Sequence, residues 1–496
     1  MTRLIATALL LASASTAAAA PLPPELSARI DASMQAWATA NHVPGLTWGI
    51  VHRGEGLVHQ GQAGIADVAS GRPVAADTRF RIASMTKAFT ALTLLDLAAE
   101  GKLRLDDPVA QHLPETASWI GGVKVADLVH HMAGFVTDDP WGDRQTPLPE
   151  AQFTALLAIG VPSTRTPGLV HEYSNLGYAM LGRIIHNTSG QPFEAEIAQR
   201  RFAPLGMTST SFDLATVPAV KMASGWRWED GIWKREPDMA PGAFGAMGGV
   251  ITTAGDYARW VDHLLSAWPA AAPGTAEPLA RATVRRLIDG GGSPRRMARP
   301  TLAATSPCTV AVVYGAGFRV GDDCTLGRVA FHSGGYPGYG SHLVMAPDRG
   351  WGVFVFTNRT YAGPTPAAWD ALIAIADAGL APVDVIPLSP QLAQLVAPLH
   401  HYWTSGDAGS LRANLAVNVL MDRDAAHRAA DIAAVKAKAG ACPSPPGVKA
   451  DGALEGDYLW KCASGMVIAH VLLAPTPTPQ IQAIEWSFRA APAARQ

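Results

Sequence analysis

One short stretch of the chain carries the residue types that serine-based acyl transfer needs. Ser84 and Lys87 stand three positions apart. Residues three apart on a helix share a face, so this spacing lets the Ser84 hydroxyl meet the Lys87 amine. A serine hydroxyl attacks well once a nearby base takes its proton, and burial can lower a lysine pKa enough to make it that base. A helix N-terminus at Ser84 would also aim backbone N–H groups at a developing oxyanion.

A second stretch, Tyr173-Ser174-Asn175, adds groups that can move a proton and orient a substrate. A tyrosine held near Lys87 is expected to ionise more easily than an ordinary phenol. Tyr173 would then act as general base toward Ser84 and later as acid toward the leaving group. Asn175 can hydrogen-bond both Lys87 and a substrate carbonyl.

The third stretch is His332-Ser333-Gly334-Gly335, which follows a strand pattern. Glycines on a strand let a substrate backbone lie close against its edge. The N–H of Gly335 is expected to be the second oxyanion donor, beside the N–H of Ser84. The sequence therefore predicts that these four residues form a substrate-binding strand.

The elements that must position these residues follow from hydrophobic periodicity. Alternating patterns at 46–53 and 56–67 flank a turn and predict a hairpin. From Ser84 the apolar residues recur at helical spacing until Gly101. Strand patterns return after residue 314 and end in a hairpin around residues 347–350. Strands at both ends with helices between them indicate an α+β fold, in which one sheet joins the two ends and a helical lobe is inserted.

In this order, Ser-x-x-Lys, Tyr-x-Asn and His-x-Gly resemble the β-lactamase-related serine hydrolases, which include class C β-lactamases, penicillin-binding D,D-peptidases, D-aminopeptidases and esterases. Further similar segments extend the resemblance over residues 25–380. It implies a β-lactamase/transpeptidase-like fold, an antiparallel sheet flanked by helices with a helical lobe. It also implies that Ser84 is the nucleophile and that Lys87 and Tyr173 are the base system. Substrate contacts would come from Asn175, His332, Ser333, Gly334 and Gly335.

The chain departs from the β-lactamase subset of this family at the third motif. Those enzymes usually carry Lys-Thr-Gly where this chain has His332-Ser333-Gly334. A histidine is only partly charged near neutral pH, so it holds a substrate carboxylate less firmly than lysine does. The resemblance thus implies a hydrolase of an ester, a D-amino-acid amide or peptide, or a β-lactam, with the anionic β-lactam the least secure.

The chain divides into three parts by composition. Residues 1–20 have the layout of a cleaved signal peptide, with Arg3, an apolar run and small residues, and predict a secreted or periplasmic protein. Residues 21–385 form the predicted hydrolase domain. Residues 390–490 form a predicted small C-terminal α+β domain, whose helices and strands resemble NTF2-like accessory domains in general pattern only.

Four cysteines in an exported chain favour disulfides. Proximity along the sequence suggests Cys308 with Cys324 and Cys442 with Cys462, although sequence alone leaves the connectivity open. Neither pair has the spacing of a zinc finger, so metal binding by the cysteines is not expected.

Other function classes find little support in the sequence. The net charge of −2 and the lack of any run of like charges argue against a nucleic-acid surface. No stretch of the sequence is long and apolar enough to predict a stable membrane anchor. There is no G-x-S-x-G elbow, no H-E-x-x-H metal motif and no nucleotide-binding fingerprint, so neither metal nor cofactor is expected. The expected partner is a small-molecule or peptide substrate, and the oligomeric state stays open. The alternative is a non-hydrolytic module of the same fold that binds a ligand or peptidoglycan.

Overall fold

The structure is a computed structural model of the chain, and it describes residues 22–270, 278–303, 308–382 and 388–490. The described residues divide into two compact units, one that reaches Trp268 and continues over Pro278–Pro382, and one that contains residues 388–490. The predicted signal peptide lies outside the described residues, as does the predicted end of the hydrolase domain at residue 385.

The first unit is built around a nine-stranded antiparallel sheet with the order β3-β2-β1-β13-β12-β11-β10-β9-β8. Two small pairs, β4 with β7 and β5 with β6, lie outside it. The strands of this unit are β1 (Gly45–His52), β2 (Gly56–Asp67), β3 (Arg72–Pro73), β4 (Phe80–Arg81), β5 (Trp226–Glu229), β6 (Ile232–Arg235), β7 (Ile251–Thr252), β8 (Gly291–Ala298), β9 (Thr309–Tyr314), β10 (Arg319–Asp323), β11 (Gly327–Tyr336), β12 (Tyr339–Ala346) and β13 (Trp351–Thr357).

Helices cover both faces of this sheet. Most of them form the lobe inserted between β4 and β8, while the first and last lie together on the opposite face. The helices are α1 (Pro24–Ala40), α2 (Lys87–Ala99), α3 (Val109–His112), α4 (Val125–Val129), α5 (Asp139–Gly142), α6 (Glu150–Ile159), α7 (Asn175–Ser189), α8 (Phe193–Ile197), α9 (Gly245–Gly248), α10 (Ala254–Leu265), α11 (Leu279–Arg285) and α12 (Thr365–Asp377).

Strand alternation explains why the sheet has two hydrophobic cores. Successive side chains of a strand point to opposite faces. On β13, Phe354 and Phe356 belong to the core on the lobe side, while Val353 and Val355 belong to the core under α1 and α12. The central strands are therefore apolar at nearly every position. Helix α2 is buried on almost all sides because it runs through the middle of the core on the lobe side.

The predicted fold class is confirmed, with the sheet formed from both ends of the unit and the lobe between them. The hairpin of β1 and β2 and the hairpin around residues 347–350 are present as predicted. The pattern that starts at Ser84 differs in one detail. Its first turn is a 3-10 helix, Ala83–Thr86, and the α-helix begins at Lys87.

The second unit is a small α+β domain, as predicted. Its four-stranded antiparallel sheet, in the order β14-β15-β16-β17, packs against a helix over an aromatic core that includes Trp403, Trp460 and Trp486. Two strand-like runs of sequence, at 455–464 and 465–475, predict the two central strands, whereas the sequence patterns predict neither edge strand. The elements are α13 (Pro390–Ala393), α14 (Val396–Ser405), α15 (Val417–Asp422), α16 (Ala425–Ala439), β14 (Gly447–Ala450), β15 (Glu455–Cys462), β16 (Gly465–Leu473) and β17 (Ile481–Ala490).

Both predicted disulfides are present, Cys308–Cys324 in the first unit and Cys442–Cys462 in the second. Such bonds persist in oxidising compartments, which is in keeping with an extracellular or periplasmic location. Within the described ranges, no helix combines the length and apolarity needed to cross a membrane.

Candidate active site

Ser84 lies at the junction between a strained turn and helix α2. The residue before it, Ala83, has a φ of +49°, a left-handed conformation that costs a non-glycine residue on the order of 1–3 kcal/mol. Strand β11 passes directly over this turn. A Cβ on Gly334 would lie 2.3 Å from the carbonyl oxygen of Ile82, so only glycine fits there. The close packing of β11 holds the turn in place and fixes where the Ser84 hydroxyl lies.

Lys87 is fully buried behind Ser84. Its Nζ lies 3.0 Å from Ser84 Oγ and donates to Asn175 Oδ1 at 2.7 Å and to the carbonyl oxygen of Met247 at 2.9 Å. Burial lowers the pKa of Lys87 to about 8, although nearby carboxylates act in the opposite direction. The Ser-x-x-Lys spacing therefore brings the two groups together as predicted, with an amine that loses its proton more easily than an ordinary lysine.

Tyr173 adjoins both members of this pair. Tyr173 and Ser84 line the same cavity, and the Tyr173 ring centroid lies 4.9 Å from Lys87 Nζ. The expectation that its phenol ionises easily is wrong. Burial, together with the negative charge of Asp139, raises the pKa of Tyr173 well above its ordinary value. In the free protein Tyr173 is thus a neutral phenol, suited to donate a hydrogen bond or a proton.

The His332–Gly335 stretch lies on β11, and its members face different surroundings. The buried His332 ring contacts the Tyr314 hydroxyl through Nε2 at 3.0 Å, and burial lowers the pKa of His332 well below its ordinary value. The Ser333 hydroxyl is 2.9 Å from His342 Nδ1 and 3.1 Å from Thr365 Oγ1. His332 is therefore a neutral imidazole at neutral pH, and it offers no positive charge to a substrate.

A cavity of about 300 Å³ opens over Ser84. Of the eight residues predicted from the sequence, five line it, namely Ser84, Tyr173, His332, Ser333 and Gly335. Lys87 and Asn175 lie behind its floor, and Gly334 packs beneath it. The structure thus brings all eight into one place, although only some of them face the cavity.

Three aspartates lie on the lobe side of the cavity. Asp139 and Asp143 line it, and Asp138 and the buried Asn175 lie behind them. We call these four residues the lobe wall. Asp138 accepts from the backbone N–H of Asn175 at 2.6 Å and so caps the first turn of α7. The Asn175 amide donates to Asp139 Oδ1 at 3.1 Å while its oxygen accepts from Lys87. Burial raises the pKa of Asp143 to about 7. Asn175 therefore links the lysine to carboxylates.

The opposite side, which we call the sheet wall (Tyr314, Arg319 and His332), comes from β9, β10 and β11. Arg319 lines the cavity, and its side chain is exposed. It makes no hydrogen bond or ion pair with any residue in the described ranges. The sheet wall therefore supplies one free positive charge to a cavity whose other wall is acidic.

One hydrogen bond joins the two sides of the cavity. Tyr361, which follows β13, donates from its hydroxyl to Asp143 Oδ2 at 3.1 Å. Its ring lies against Gly335, where a Cβ would be only 2.8 Å from the ring. Tyr361 thus covers the end of the cavity at the predicted oxyanion donor.

Several of these residues were missed from the sequence. None of the three motifs points to the loop at residues 138–143, although its three carboxylates within six residues are visible in the sequence. Tyr314, Arg319 and Tyr361 carry no local signal, because only the fold brings them to Ser84.

Metal ligation was not expected anywhere in the chain. In the parts that the structure describes, one group of side chains has its ligand atoms within 4.8 Å of one another, Asp451, Asp457 and His470 in the second unit. Asp451 is paired with Lys449 at 2.7 Å, so a cation there would compete with an existing ion pair.

The similarity to known proteins lies in the first unit. The family described as Beta-lactamase matches residues 26–378. Protein flp of Staphylococcus aureus (strain COL) is 28% identical over 327 residues, which are 64% of this chain and 60% of that protein. Beta-lactamase of Escherichia coli (strain K12) is 24% identical over 362 residues, which are 67% of this chain and 89% of that protein. The chain thus spans about 60% of the length of the flp proteins it matches.

Proposed function

The chain belongs to the Beta-lactamase family, and on that premise we propose that it is an exported serine hydrolase that forms an acyl-enzyme on Ser84. The observation that carries the proposal is the buried Lys87 amine, 3.0 Å from Ser84 Oγ and with a lowered pKa. A serine needs such a base to become a nucleophile. Burying a lysine is costly unless its charge is compensated or lost, so an amine buried beside a hydroxyl is typical of a catalytic pair.

In the first step, Ser84 Oγ attacks the substrate carbonyl carbon and its proton passes to neutral Lys87. Tyr173 then gives its phenolic proton to the departing oxygen or nitrogen and regains one from Lys87. Because the pKa of Tyr173 is raised and that of Lys87 is lowered, the lysine is the stronger candidate for the base. Water attacks the acyl-enzyme in the second step. Its proton passes through Tyr173 to Lys87, and Lys87 returns a proton to Ser84 Oγ, which reverses the path of the first step.

The developing oxyanion is assigned to two backbone N–H groups, those of Ser84 and Gly335. Ser84 lies at the beginning of the helical segment, where N–H groups have no helical partner. Gly335 lines the same cavity from β11. Donors fixed in this way stabilise negative charge in the transition state without rearrangement.

For the substrate, we propose an ester or a D-amino-acid amide or peptide ahead of a β-lactam. The position that holds lysine in many β-lactamases holds His332, whose pKa is lowered well below its ordinary value. It therefore adds no charge to hold a β-lactam carboxylate. The relative that is itself named Beta-lactamase is only 24% identical to this chain.

Export rests on two features. The two disulfides are typical of proteins from oxidising compartments, and residues 1–20 have the layout of a signal peptide. We propose that the mature protein acts outside the cytoplasm.

The test compares wild type with Ser84→Ala on three chromogenic probes, 4-nitrophenyl butyrate, D-alanine 4-nitroanilide and a cephalosporin. Ser266→Ala, at the exposed end of α10, is the matched control. We expect turnover of the ester or the anilide that falls about 10³-fold or more in Ser84→Ala and stays in the control. Undiminished turnover in Ser84→Ala, or ligand binding without turnover of any probe, would contradict the proposal and favour a non-hydrolytic module.

A further inference from the structure

The backbone segment that carries Tyr173 is held on both sides by one histidine, His131. We propose that His131 is a positioning residue, which keeps the Tyr173 hydroxyl where it can protonate the leaving group. The proposal rests on the proposed function, because it concerns the acid in the reaction at Ser84. His131 lies two residues after α4 and is not among the described residues that line the cavity over Ser84, so it acts through Tyr173.

Two hydrogen bonds tie the segment around Tyr173 to His131. Residues 171–174 lead into α7 and belong to no helix or strand. Within them, the N–H of Glu172 donates to the His131 carbonyl oxygen at 2.8 Å, and the N–H of Ser174 donates to His131 Nδ1 at 3.1 Å. A segment outside regular secondary structure depends on such bonds for its position. Because the two donors flank Tyr173, one residue fixes the backbone on both sides of the phenol.

The imidazole of His131 also packs against the phenol ring itself. The ring centroids of His131 and Tyr173 are 4.2 Å apart. The imidazole further contacts Tyr178 of α7 and Tyr314 of β9, with centroid separations of 5.0 Å and 4.4 Å. Ring pairs at such distances have preferred orientations. His131 therefore restrains the ring of Tyr173 as well as its backbone, and it connects both to the lobe and to the sheet.

The His131 ring is neutral, as the bond from Ser174 to Nδ1 requires. Burial and the positive charge of Lys87 lower the pKa of His131 well below its ordinary value. Since Nδ1 accepts, the ring proton is on Nε2, which is buried and has no hydrogen-bond partner among the described residues. Such a donor lowers stability, and so does the left-handed φ of +55° at His131. Two unfavourable features at one residue beside the proposed acid point to a functional reason for the histidine.

Two substitutions separate the ring of His131 from its backbone. Glycine adopts a φ of +55° without strain, so His131→Gly removes the imidazole while the backbone conformation can remain. Asparagine also tolerates the left-handed region, and its side-chain oxygen is bonded to Cγ just as Nδ1 is. His131→Asn therefore keeps an acceptor for the N–H of Ser174, whereas His131→Gly does not.

The experiment uses two butyrate esters that differ in how much their leaving groups need an acid. The 4-nitrophenolate ion leaves without a proton at neutral pH, whereas the methoxide of methyl butyrate must be protonated as it departs. We expect Tyr173→Phe and His131→Gly each to lower the ratio of kcat/KM for the methyl to the 4-nitrophenyl ester about tenfold or more. His131→Asn should keep this ratio within about threefold of wild type. Acid release measured by titration at constant pH follows both esters.

The matched control is His42→Gly, because His42 is an exposed histidine whose φ of +47° is also left-handed. It should leave the ratio unchanged. The double variant of His131→Gly and Tyr173→Phe should have the same ratio as Tyr173→Phe alone, because the ring acts through that phenol. If circular dichroism shows that His131→Gly is unfolded, His131→Phe takes its place. Phenylalanine fills the site without an acceptor and should give the same fall.

The ratio distinguishes a positioning role of His131 from a merely structural one. A structural role would lower kcat/KM for both esters alike, so an unchanged ratio in the folded variants without the acceptor would overturn the proposal. An additional fall in the double variant would also overturn it. The proposed function would stand in either case if turnover still required Ser84, whereas turnover that persists in Ser84→Ala would contradict both proposals.

Discussion

The lobe wall and the sheet wall enclose the same cavity but differ in charge and in what they act on. The lobe wall holds three carboxylates and reaches Lys87 through Asn175. The sheet wall holds neutral His332 and the free cation of Arg319. In the proposed mechanism the lobe wall therefore sets how readily Lys87 loses its proton, while the sheet wall would contact the substrate. Catalytic power and substrate choice are thus assigned to opposite sides of one cleft.

The largest expected effect comes from Lys87, the group on which the lobe wall acts. Lys87→Ala removes the base and leaves the Asn175 amide oxygen without its donor. We expect kcat/KM for a neutral ester to fall about 10³-fold or more, measured with 4-nitrophenyl butyrate. Lys102→Ala, an exposed lysine, is the matched control. A loss below tenfold would show that the lobe wall does not act through this amine.

Two tyrosines can test this division of roles, because Tyr173 lies beside Ser84 and Tyr314 belongs to the sheet wall. Tyr173 lines the cavity beside Ser84, whereas the Tyr314 hydroxyl contacts His332 at 3.0 Å. We expect Tyr173→Phe to lower kcat about 10²-fold, because it removes the acid, and Tyr314→Phe to lower it less than tenfold. Circular dichroism would check that both variants are folded. Equal losses in kcat would mean that the sheet wall takes part in proton transfer, contrary to the division of roles.

The charge of the lobe wall should be visible in the pH profile. Activity rises with pH as Lys87 loses its proton, around its pKa of about 8. The Asp143 carboxylate raises the pKa of Lys87, so Asp143→Asn lowers it and moves this rising limb to lower pH, by up to about one unit. Asp322→Asn, on the exposed part of β10, should leave the limb in place. A limb that moves to higher pH in Asp143→Asn would contradict the electrostatic account.

Local contacts of the site were predictable from the sequence, whereas contacts between residues far apart in the chain were not. The contact between Ser84 and Lys87 was predictable, because helical spacing alone brings residues three apart together. The hairpins and the disulfides also follow from local patterns. The hydrogen bond between Tyr361 and Asp143 joins residues 218 positions apart, so no local sequence pattern predicts it. The pKa of Tyr173 was predicted in the wrong direction because the triplet Tyr-Ser-Asn says nothing about burial or about Asp139.

The smallest expected effects on activity come from the disulfides, one of which links the strands that carry the sheet wall. Cys308–Cys324 joins the strands β9 and β10 that carry Tyr314 and Arg319, whereas Cys442–Cys462 lies in the second unit. Closing loops of this length contributes about 3 kcal/mol to the free energy of unfolding. Cys324→Ser should therefore lower both the free energy of unfolding and kcat/KM for 4-nitrophenyl butyrate. Cys462→Ser should lower the free energy of unfolding alone, as calorimetry and kcat/KM together would show. A reduced kcat/KM in this variant would contradict the prediction.

The central claim, that Ser84 carries the acyl group with Lys87 as its base, is tested most directly by trapping the intermediate. Wild type and Lys87→Ala would be mixed with a 4-nitrophenyl ester, quenched in acid within milliseconds and mapped by peptide mass spectrometry. We predict one acyl group on the peptide that contains Ser84 in wild type, none in Ser84→Ala, and much slower labelling of Ser84 in Lys87→Ala. Acyl transfer to another residue, or labelling of Ser84 at an unchanged rate in Lys87→Ala, would contradict the account.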